Sequence, residues 1–495
     1  MKKIIDTIDY NYMTKFEAFP YQAEAYKTLR DLDYAAIFHE QGLGKTKIAI
    51  DLLLYWLEYR DIDTVLIITK KQLVKNWVDE IGNHIHIKPQ TLNTNKKDNF
   101  IILNSASKIV ITNFETLMTD NLRIKLFLEC RNVACIIDES TKLKNPDSKI
   151  TKTYFEVAEL FKIKVIMSGT PIANRPFDIW SQIYFLDKGK SLGKNFEDFK
   201  SKTNLSNDLQ YDIDKKERFE TVVSEIYNKI SKFTVRETKS SGIVELPNKV
   251  YKNIYVDFSE EQRKIYYRLL DELITIYKKN NSTSVETEEN SLKRLLRLMQ
   301  ICSNPRLINI DYQEISGKEK KLESIVNGII DRNEMCIVWS SFIENVDYFA
   351  KKFSDIGTCK IHGKMSIDDR NKSVDLFKNK KAKLLFATPQ AAKEGLTLTV
   401  ANNVIFYDRG FNLDDYLQAQ DRIHRISQKK TCYVYNLMIS ESVDIWIDKL
   451  IEAKHNAALL AQGDINLKQY KDIADYSYND IVHEILNREG DAYGK

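Results

Sequence analysis

The sequence predicts an α/β protein with two parallel sheets, each flanked by helices. Short apolar runs alternate with helical patterns between residues 34 and 171, and the same rhythm returns between residues 335 and 407. Unbroken apolar runs are typical of strands buried on both faces, and strands that alternate with helices are typical of parallel sheets. The 495 residues provide length for about three domains.

Each predicted strand is a short apolar run bounded by polar residues or glycine. In the first region the strands fall at 34–38, 64–69, 108–112, 133–137 and 164–167. In the second region they fall at 335–339, 360–363, 383–387 and 403–407. Helical patterns are found at 14–30, 47–59, 176–240 and 257–302, and a linker is expected at 239–247.

The composition excludes several classes of protein. With 43% hydrophobic and 29% charged residues the chain is globular, and a net charge of +4 neither requires nor excludes a nucleic-acid partner. No apolar run reaches the ~18 residues of a membrane span, and the first residues lack the apolar stretch of a signal peptide. The six cysteines are scattered, which favours reduced thiols in a cytosolic or nuclear protein.

A glycine-rich turn between the first strand and the following helix is the strongest functional signal. Gly42 and Gly44 allow backbone N–H groups to close on phosphate oxygens, and the helix N-terminus adds its positive dipole. Lys45 is expected to reach the β- and γ-phosphates, and the Thr46 hydroxyl to hold Mg²⁺. His39 stands where the full Walker pattern has glycine, which leaves a chance glycine-rich turn as the alternative.

An acidic pair follows the strand at 133–137. Because carboxylates at the end of a buried strand are unfavourable without a purpose, Asp138 is expected to bind Mg²⁺ and Glu139 to position or deprotonate the attacking water. The alternative is a pair that caps a helix. Hydroxyl groups at 168–171 follow the next strand and could sense the γ-phosphate.

Polar and basic residues near these segments suggest further contacts. Gln22 could present its amide to adenine, or it could be an ordinary surface residue. Lys70, Lys75 and Asn76 lie at a turn and basic helix start, where they could contact phosphates or form a solvated basic face.

The segment 418–428 contains two arginines and a glutamine. On a helix, Gln418, Arg422 and Arg425 share one face at spacings of four and three residues. A face with two arginines and a glutamine is better suited to binding a polyphosphate than to packing in a hydrophobic core. With Asp421 nearby, a salt-bridged surface helix is the alternative.

Taken in order, these segments resemble the Swi/Snf family of superfamily 2 ATPases from about residue 19 to about residue 451. The phosphate loop, the acidic pair and the Ser-Gly-Thr-Pro run at 168–171 match closely, and residues 394–398 resemble the fifth motif. The Arg-Ile-His-Arg-Ile-Ser-Gln run at 422–428 is the most specific segment. Departures from the family pattern are Phe19 for a basic residue, Gln41 for Met, Lys70 for Pro, Ser140-Thr141 for Ala-His, and Lys393-Glu394 for small residues.

The resemblance implies RecA-like lobes at 1–245 and 246–460, followed by a C-terminal tail at 461–495. It also implies helical protrusions at about 176–240 and 257–310, and a helix at about 443–459 that braces the first lobe. ATP with Mg²⁺ is the expected fuel. The implied nucleotide contacts are Gln22, Gln41, Gly42, Leu43, Gly44, Lys45, Thr46, Gln418 and Gly395. The implied DNA contacts are Lys70, Lys75, Asn76, Thr116, Thr388 and Lys393.

The activity implied is a DNA-dependent ATPase that translocates on double-stranded DNA and remodels DNA or protein–DNA complexes. A monomeric motor is expected, targeted by a partner protein, in a bacterial or phage-encoded cytoplasmic setting or in the nucleus of a eukaryote. Arg422 and Arg425 would act as arginine fingers from the second lobe. The alternatives are a strand-separating DNA or RNA helicase and a nucleotide-gated DNA-binding subunit.

Overall fold

The computed structural model describes residues 10–172, 174–204, 213–243, 246–279, 285–392, 398–425 and 427–471. These residues form two compact units. The first unit lies within Met1–Asn204, Asp214–Glu245 and Ala457–Asp472, and the second lies within Leu246–Asn456. The predicted end of the second lobe at residue 460 remains a prediction. By compactness, the residues Ala457–Asp472 belong to the first unit.

The first unit contains a parallel sheet covered by helices. Its described strands are β1 Tyr34–Ile37, β2 Thr64–Thr69, β3 Gln90–Thr91, β4 Ile109–Asn113, β5 Val133–Asp138, β6 Ile163–Met167 and β7 Thr234–Val235. They pair in the order β3-β4-β2-β5-β6-β1-β7. The helices up to this point are α1 Pro20–Leu29, α2 Lys45–Tyr59, α3 Val74–His84, α4 Lys96–Asn104, α5 Phe114–Thr119, α6 Asn121–Cys130, α7 Lys149–Val157, α8 Trp180–Asp187, α9 Phe196–Thr203 and α10 Ile213–Ile230.

The second unit repeats this plan with a second parallel sheet. Its described strands are β8 Lys249–Val256, β9 Cys336–Trp339, β10 Thr358–Ile361, β11 Leu384–Ala387, β12 Asn403–Phe406 and β13 Cys432–Ile439, and they pair in the order β10-β11-β9-β12-β13-β8. The helices that follow α10 are α11 Glu260–Lys279, α12 Val285–Ser303, α13 Gly317–Asp331, α14 Ile343–Lys352, α15 Ile367–Lys378, α16 Pro389–Ala392, α17 Leu413–Gln420, α18 Val443–Gln462 and α19 Leu467–Lys471.

The predicted α/β class with two parallel sheets is confirmed. All nine predicted strands are present, and β2 is buried at every position, as an unbroken apolar run requires. Strands β3, β7, β8 and β13 lie outside the predicted strand segments. Strand β8 escapes the pattern because it is an edge strand whose exposed positions carry no continuous apolar run.

The first helix is shorter than the sequence predicts. The expected helix covers 14–30, but α1 begins at Pro20, which stands at the helix start where its missing N–H is tolerated. The preceding residues pair elsewhere instead. Thr14 forms an isolated bridge with Ile85, and the backbone N–H of Lys15 donates to His84 O at 2.7 Å.

Helix α18 begins at the predicted residue and runs to Gln462, beyond the predicted end at 459. In its first half, Trp446 and Leu450 pack with Tyr266 of α11 and Leu298 of α12 in the second unit. Burying each such side chain stabilises the fold by about 1.5–3 kcal/mol. In the part of the chain that the structure covers, no helix has the length and apolar character needed to cross a membrane.

Candidate active site

The phosphate loop joins β1 to α2 and contains two glycines in the left-handed region, Gly42 with φ 88° and Gly44 with φ 70°. Gly44 is the N-cap of α2, so the first free N–H groups of that helix face the loop. A Cβ on Gly44 would lie 2.2 Å from Gln22 Nε2. The backbone conformation therefore favours glycine at this position, and a larger residue would also displace the Gln22 side chain.

Lys45 is the first residue of α2, and its ammonium reaches back across the loop. Nζ donates to His39 O at 2.9 Å and to Glu40 O at 3.4 Å. Its charge opposes the rise that burial causes in the pKa of the Asp138 carboxyl. Thr46, the next residue, is half-buried at the same helix start.

Gln22 is buried beside the loop and supports its backbone. Its Oε1 accepts from Phe19 N at 3.0 Å, while Nε2 donates to Leu43 O at 3.3 Å and to the Tyr21 hydroxyl at 3.4 Å. The Tyr21 hydroxyl donates to the same Leu43 carbonyl at 3.0 Å. The reading of adenine by Gln22 stays a prediction, and the role visible in the structure is to hold the loop.

His39 occupies the place of the first Walker glycine and is only 1% exposed. Burial lowers the pKa of its imidazole to about 4, and the charges of Lys45 and Arg236 act in the same direction. The side chain is therefore neutral at physiological pH, so it adds no positive charge to the loop.

The acidic pair ends β5. Asp138 Oδ2 accepts from Trp77 Nε1 at 2.8 Å and from Thr69 Oγ1 at 3.3 Å, and Oδ1 accepts from Glu139 N at 2.9 Å. Burial raises the pKa of the Asp138 carboxyl, and the bond from Trp77 and the charge of Lys45 oppose that rise without reversing it. The donors and the cation around the carboxyl favour its charged form, but burial outweighs them and the net pKa of Asp138 is raised.

Glu139 adopts φ 56°, the left-handed region that a residue with a Cβ rarely occupies. This conformation costs about 1–2 kcal/mol, which the surrounding contacts must offset. The next residue, Ser140, is fully buried, and its hydroxyl donates to Gln182 Oε1 at 2.7 Å. The backbone that presents Glu139 is thus held from the side of α8.

The predicted γ-phosphate sensor at 168–171 contacts both halves of the site. A Cβ on Gly169 would lie 2.4 Å from Gln41 Cγ and 3.2 Å from Lys45 Nζ. Gln182 Nε2 donates to Pro171 O at 2.7 Å, so one amide joins this segment to Ser140 beside the acidic pair. Gln182 was not among the predicted site residues, because an isolated Gln in a helical pattern carries no signal.

The DNA-contact candidates differ in exposure. Lys75 and Asn76 are exposed on α3, and Lys70 is half-buried just before it. Thr116 is only 5% exposed, and its N–H and hydroxyl donate to Asn113 Oδ1 at 2.9 and 3.2 Å. The structure therefore places Thr116 as part of a helix cap rather than on an open surface.

In the second unit, Thr388 directly follows β11 and is only 7% exposed, so it too presents little surface to a DNA strand. Its N–H donates to Ile361 O at 3.0 Å. Lys393 and Gly395, the other predicted contacts of this segment, lie outside the described residues.

The prediction that one helix runs through residues 418–428 is wrong. Helix α17 ends at Gln420, so Arg422 and Arg425 lie in the turn that follows it. After Gln420 the backbone tightens into a turn, in which Arg422 N donates to Ala419 O at 3.4 Å and Ile423 N donates to Gln420 O at 3.3 Å, and the next carbonyls bond outside the helix. Leu398 N donates to Arg422 O at 3.0 Å, and Gln428 Nε2 donates to Ile423 O at 3.0 Å.

The two arginines nevertheless keep a defined geometry. Arg422 is 2% exposed and its Nε donates to Gln418 O at 3.0 Å, while the half-buried Arg425 donates from Nε to Asp421 O at 3.0 Å. Gln418 is itself buried, with Nε2 donating to Asp414 Oδ1 at 2.7 Å. The second unit thus groups these three residues, and the first unit groups the loop with the acidic pair.

Comparison with known proteins places both units in described families. The family model "SNF2-related domain" matches residues 21–307, and "Helicase conserved C-terminal domain" matches residues 317–427. The chain is 30% identical over 440 residues to a Mycoplasma pneumoniae protein named as an ATP-dependent helicase, covering 86% of this chain and 40% of that protein. It is 26% identical over 476 residues to the ATP-dependent DNA helicase DDM1 of Arabidopsis thaliana, covering 90% of this chain and 61% of that protein.

Among solved structures, the chain is similar to the Sulfolobus solfataricus SWI2/SNF2 ATPase core in complex with dsDNA. The identity is 24% and the TM-score is 0.42, over 94% of this chain and 98% of that chain. The curated relatives are longer than this chain, which spans about two fifths of the first and three fifths of the second.

Proposed function

Because this chain belongs to the family of SNF2-related proteins, we propose that it is a DNA-dependent ATPase that couples ATP hydrolysis to translocation on double-stranded DNA. The family match covers more than half of the chain and confirms the resemblance to the Swi/Snf family. The observation that carries the proposal is that one parallel sheet carries both the phosphate loop with Lys45, after β1, and the acidic pair that begins with Asp138, at the end of β5. A phosphate-binding cation and an acidic pair are typical of nucleotide hydrolases.

The residues of the first unit fit ATP with Mg²⁺. The left-handed Gly42 and Gly44 give the loop a backbone conformation in which N–H groups can bind phosphate oxygens, and Lys45 supplies the cation beside them. The Thr46 hydroxyl and the Asp138 carboxylate are the oxygen ligands that would hold Mg²⁺. The ion, when bound, neutralises charge on the phosphate oxygens.

Hydrolysis is assigned to Glu139, with Arg422 and Arg425 completing the site. Glu139 would orient a water molecule and accept its proton, since its strained backbone presents the carboxylate directly after Asp138. The two guanidinium groups belong to the second unit and would stabilise the charge that builds on the transferred phosphoryl group. Hydrolysis would then require both units.

The exposed Lys75 and Asn76 support a phosphate-backbone contact, because they share α3 with Trp77, which holds Asp138. Such contacts bind duplex DNA without reading its sequence. A partner protein is proposed to choose the target for a monomeric motor. The Lys-, Ile- and Asn-rich composition and the Mycoplasma relative support a bacterial or phage-encoded cytoplasmic protein.

The test is ATP turnover measured with duplex DNA, single-stranded DNA or RNA as the stimulator. Duplex DNA should stimulate most, and a triplex-displacement assay should detect movement without separation of strands. Affinity for duplex DNA should fall steeply with salt and vary little with sequence. Stronger stimulation by single strands with strand separation would favour a helicase, and binding without turnover would favour a nucleotide-gated subunit.

A further inference from the structure

Helix α18 ends in a turn that places the carboxylate of Asp464 next to Arg236 of the first unit. Gly463 has φ 75°, its N–H donates to Leu460 O at 3.1 Å, and the N–H of Asp464 donates to Leu459 O at 2.9 Å. This pair of bonds is the Schellman ending of a helix. A Cβ on Gly463 would lie 2.8 Å from the Tyr227 ring, so the turn is packed tightly as well as bonded.

The carboxylate of Asp464 is bound by Arg236 through both oxygens. Arg236 Nε donates to Oδ1 at 2.7 Å, and Nη2 donates to Oδ2. The side chains are only 9% and 14% exposed, so the pair is shielded from solvent. A bidentate pair of this kind fixes the orientation of the guanidinium plane.

The third donor of Arg236 reaches the start of the phosphate loop. Nη1 donates to Phe38 O at 2.8 Å, on the residue that joins β1 to the loop. The neighbouring backbone is held from the same segment, since Phe38 N donates to Val235 O at 2.9 Å and Glu40 N donates to Glu237 O at 2.8 Å. Residues 235–237 therefore support residues 38–40 on which Lys45 rests.

Arg236 and Asp464 also lie near two places where the chain passes between the units. Arg236 comes shortly before Leu246, where the second unit begins, and Asp464 comes shortly after Asn456, where the chain returns to the first unit. Both members of the ion pair are therefore close in sequence to a passage between the units, and Arg236 also bonds the residue that precedes the phosphate loop.

We propose that Arg236 is a positioning residue for the phosphate loop and that Asp464 sets its orientation, so that the segment after α18 tunes nucleotide binding. This inference rests on the proposed ATPase function and deepens it. Without Asp464, the guanidinium would lose its fixed plane, and residues 38–40 would hold Lys45 less well against the phosphates. The effect should appear in nucleotide affinity more than in the chemical step.

The test uses the full chain with the conservative variants Asp464→Asn and Arg236→Lys. Lys471→Gln is the matched control, because Lys471 lies in the same segment and pairs with Glu220 at 3.1 Å without bonding the loop. The readouts are the Kd for a fluorescent ATP analogue, KM and kcat for ATP, and the thermal midpoint. We expect each pair variant to raise Kd and KM about 5- to 10-fold with a smaller change in kcat, while the control leaves both unchanged.

The double variant separates this role from simple stability. If the two residues act as one unit, Asp464→Asn with Arg236→Lys should raise Kd no more than either single change. Unchanged Kd and KM with a lowered thermal midpoint would overturn the inference and leave a purely structural pair. A wild-type protein that binds the analogue but does not hydrolyse ATP would contradict the proposed function alone, because the Kd comparison does not need turnover.

Discussion

Trp77 Nε1 donates a hydrogen bond to Asp138 Oδ2 at 2.8 Å, across 61 positions of sequence. Trp77 is buried on α3, whose exposed side carries Lys75 and Asn76. The helix proposed to touch DNA phosphates therefore also holds the carboxylate proposed to bind Mg²⁺. A shift of α3 on DNA binding would change the hydrogen bond from Trp77 and, through it, the position of the Asp138 carboxylate.

Trp77→Phe should weaken Mg²⁺ binding and slow turnover, each about tenfold, because a hydrogen bond to a charged group contributes about 1.5–3 kcal/mol. The bond lowers the pKa of Asp138, so its loss should raise that pKa further and move the rising limb of the pH–rate profile to higher pH. Mg²⁺ titrations of ATPase activity at several pH values provide the measurement. Trp56→Phe is the control, since buried Trp56 donates to Arg30 O, away from the site.

Glu139→Gln should keep nucleotide affinity near the wild-type value and remove turnover, because it loses the general base and keeps size and hydrogen bonding. Lys45→Ala should instead weaken nucleotide binding, since it removes the cation beside the phosphates. Equilibrium binding of an ATP analogue and single-turnover hydrolysis distinguish the two defects. Wild-type hydrolysis by Glu139→Gln would mean that the acidic pair is not the catalytic site.

Arg425→Ala should bind ATP and DNA but lose on the order of 10³-fold in DNA-stimulated turnover. Arg425→Lys should restore little, since an ammonium does not reproduce the guanidinium fork. Arg422→Ala should lose activity and also stability, because Arg422 is 2% exposed and bonds Gln418 O. Turnover at saturating duplex DNA is the readout, and near-normal rates in both alanine variants would refute a two-unit site.

His39 should make stability depend on pH. Its pKa is lowered from 6.5 to about 4, so between these values the unfolded chain binds more protons than the folded one. Stability should therefore fall by about 3 kcal/mol as the pH drops through this window, and His39→Gln should remove that part of the slope. Urea unfolding at pH 4 to 7 measures it, with exposed His86→Gln as the control. Parallel slopes for wild type and His39→Gln would show that His39 does not titrate this way.

Patterns among neighbouring residues are sufficient to predict the two sheets, the phosphate loop and the acidic pair. An apolar run such as Thr64–Thr69 has one favourable place, a strand buried on both faces. Gly42, Gly44 and Lys45 form a phosphate loop for reasons that lie within a few residues of backbone. Such features depend on local backbone conformation and on the removal of apolar side chains from water, so they can be predicted from a short stretch of sequence.

Partners distant in sequence decide the rest. The helix that begins at Leu413 ends at Gln420, and the Arg422 carbonyl in the following turn accepts a bond from Leu398 N, which local helical spacing cannot anticipate. Asp138 accepts a hydrogen bond from Trp77, which is 61 positions away in sequence, and Arg236 pairs with Asp464, which is 228 positions away. A hydrogen bond or ion pair at such separation exists only once the sheet and its helices have brought both groups together, so it is a property of the packed fold and not of either segment.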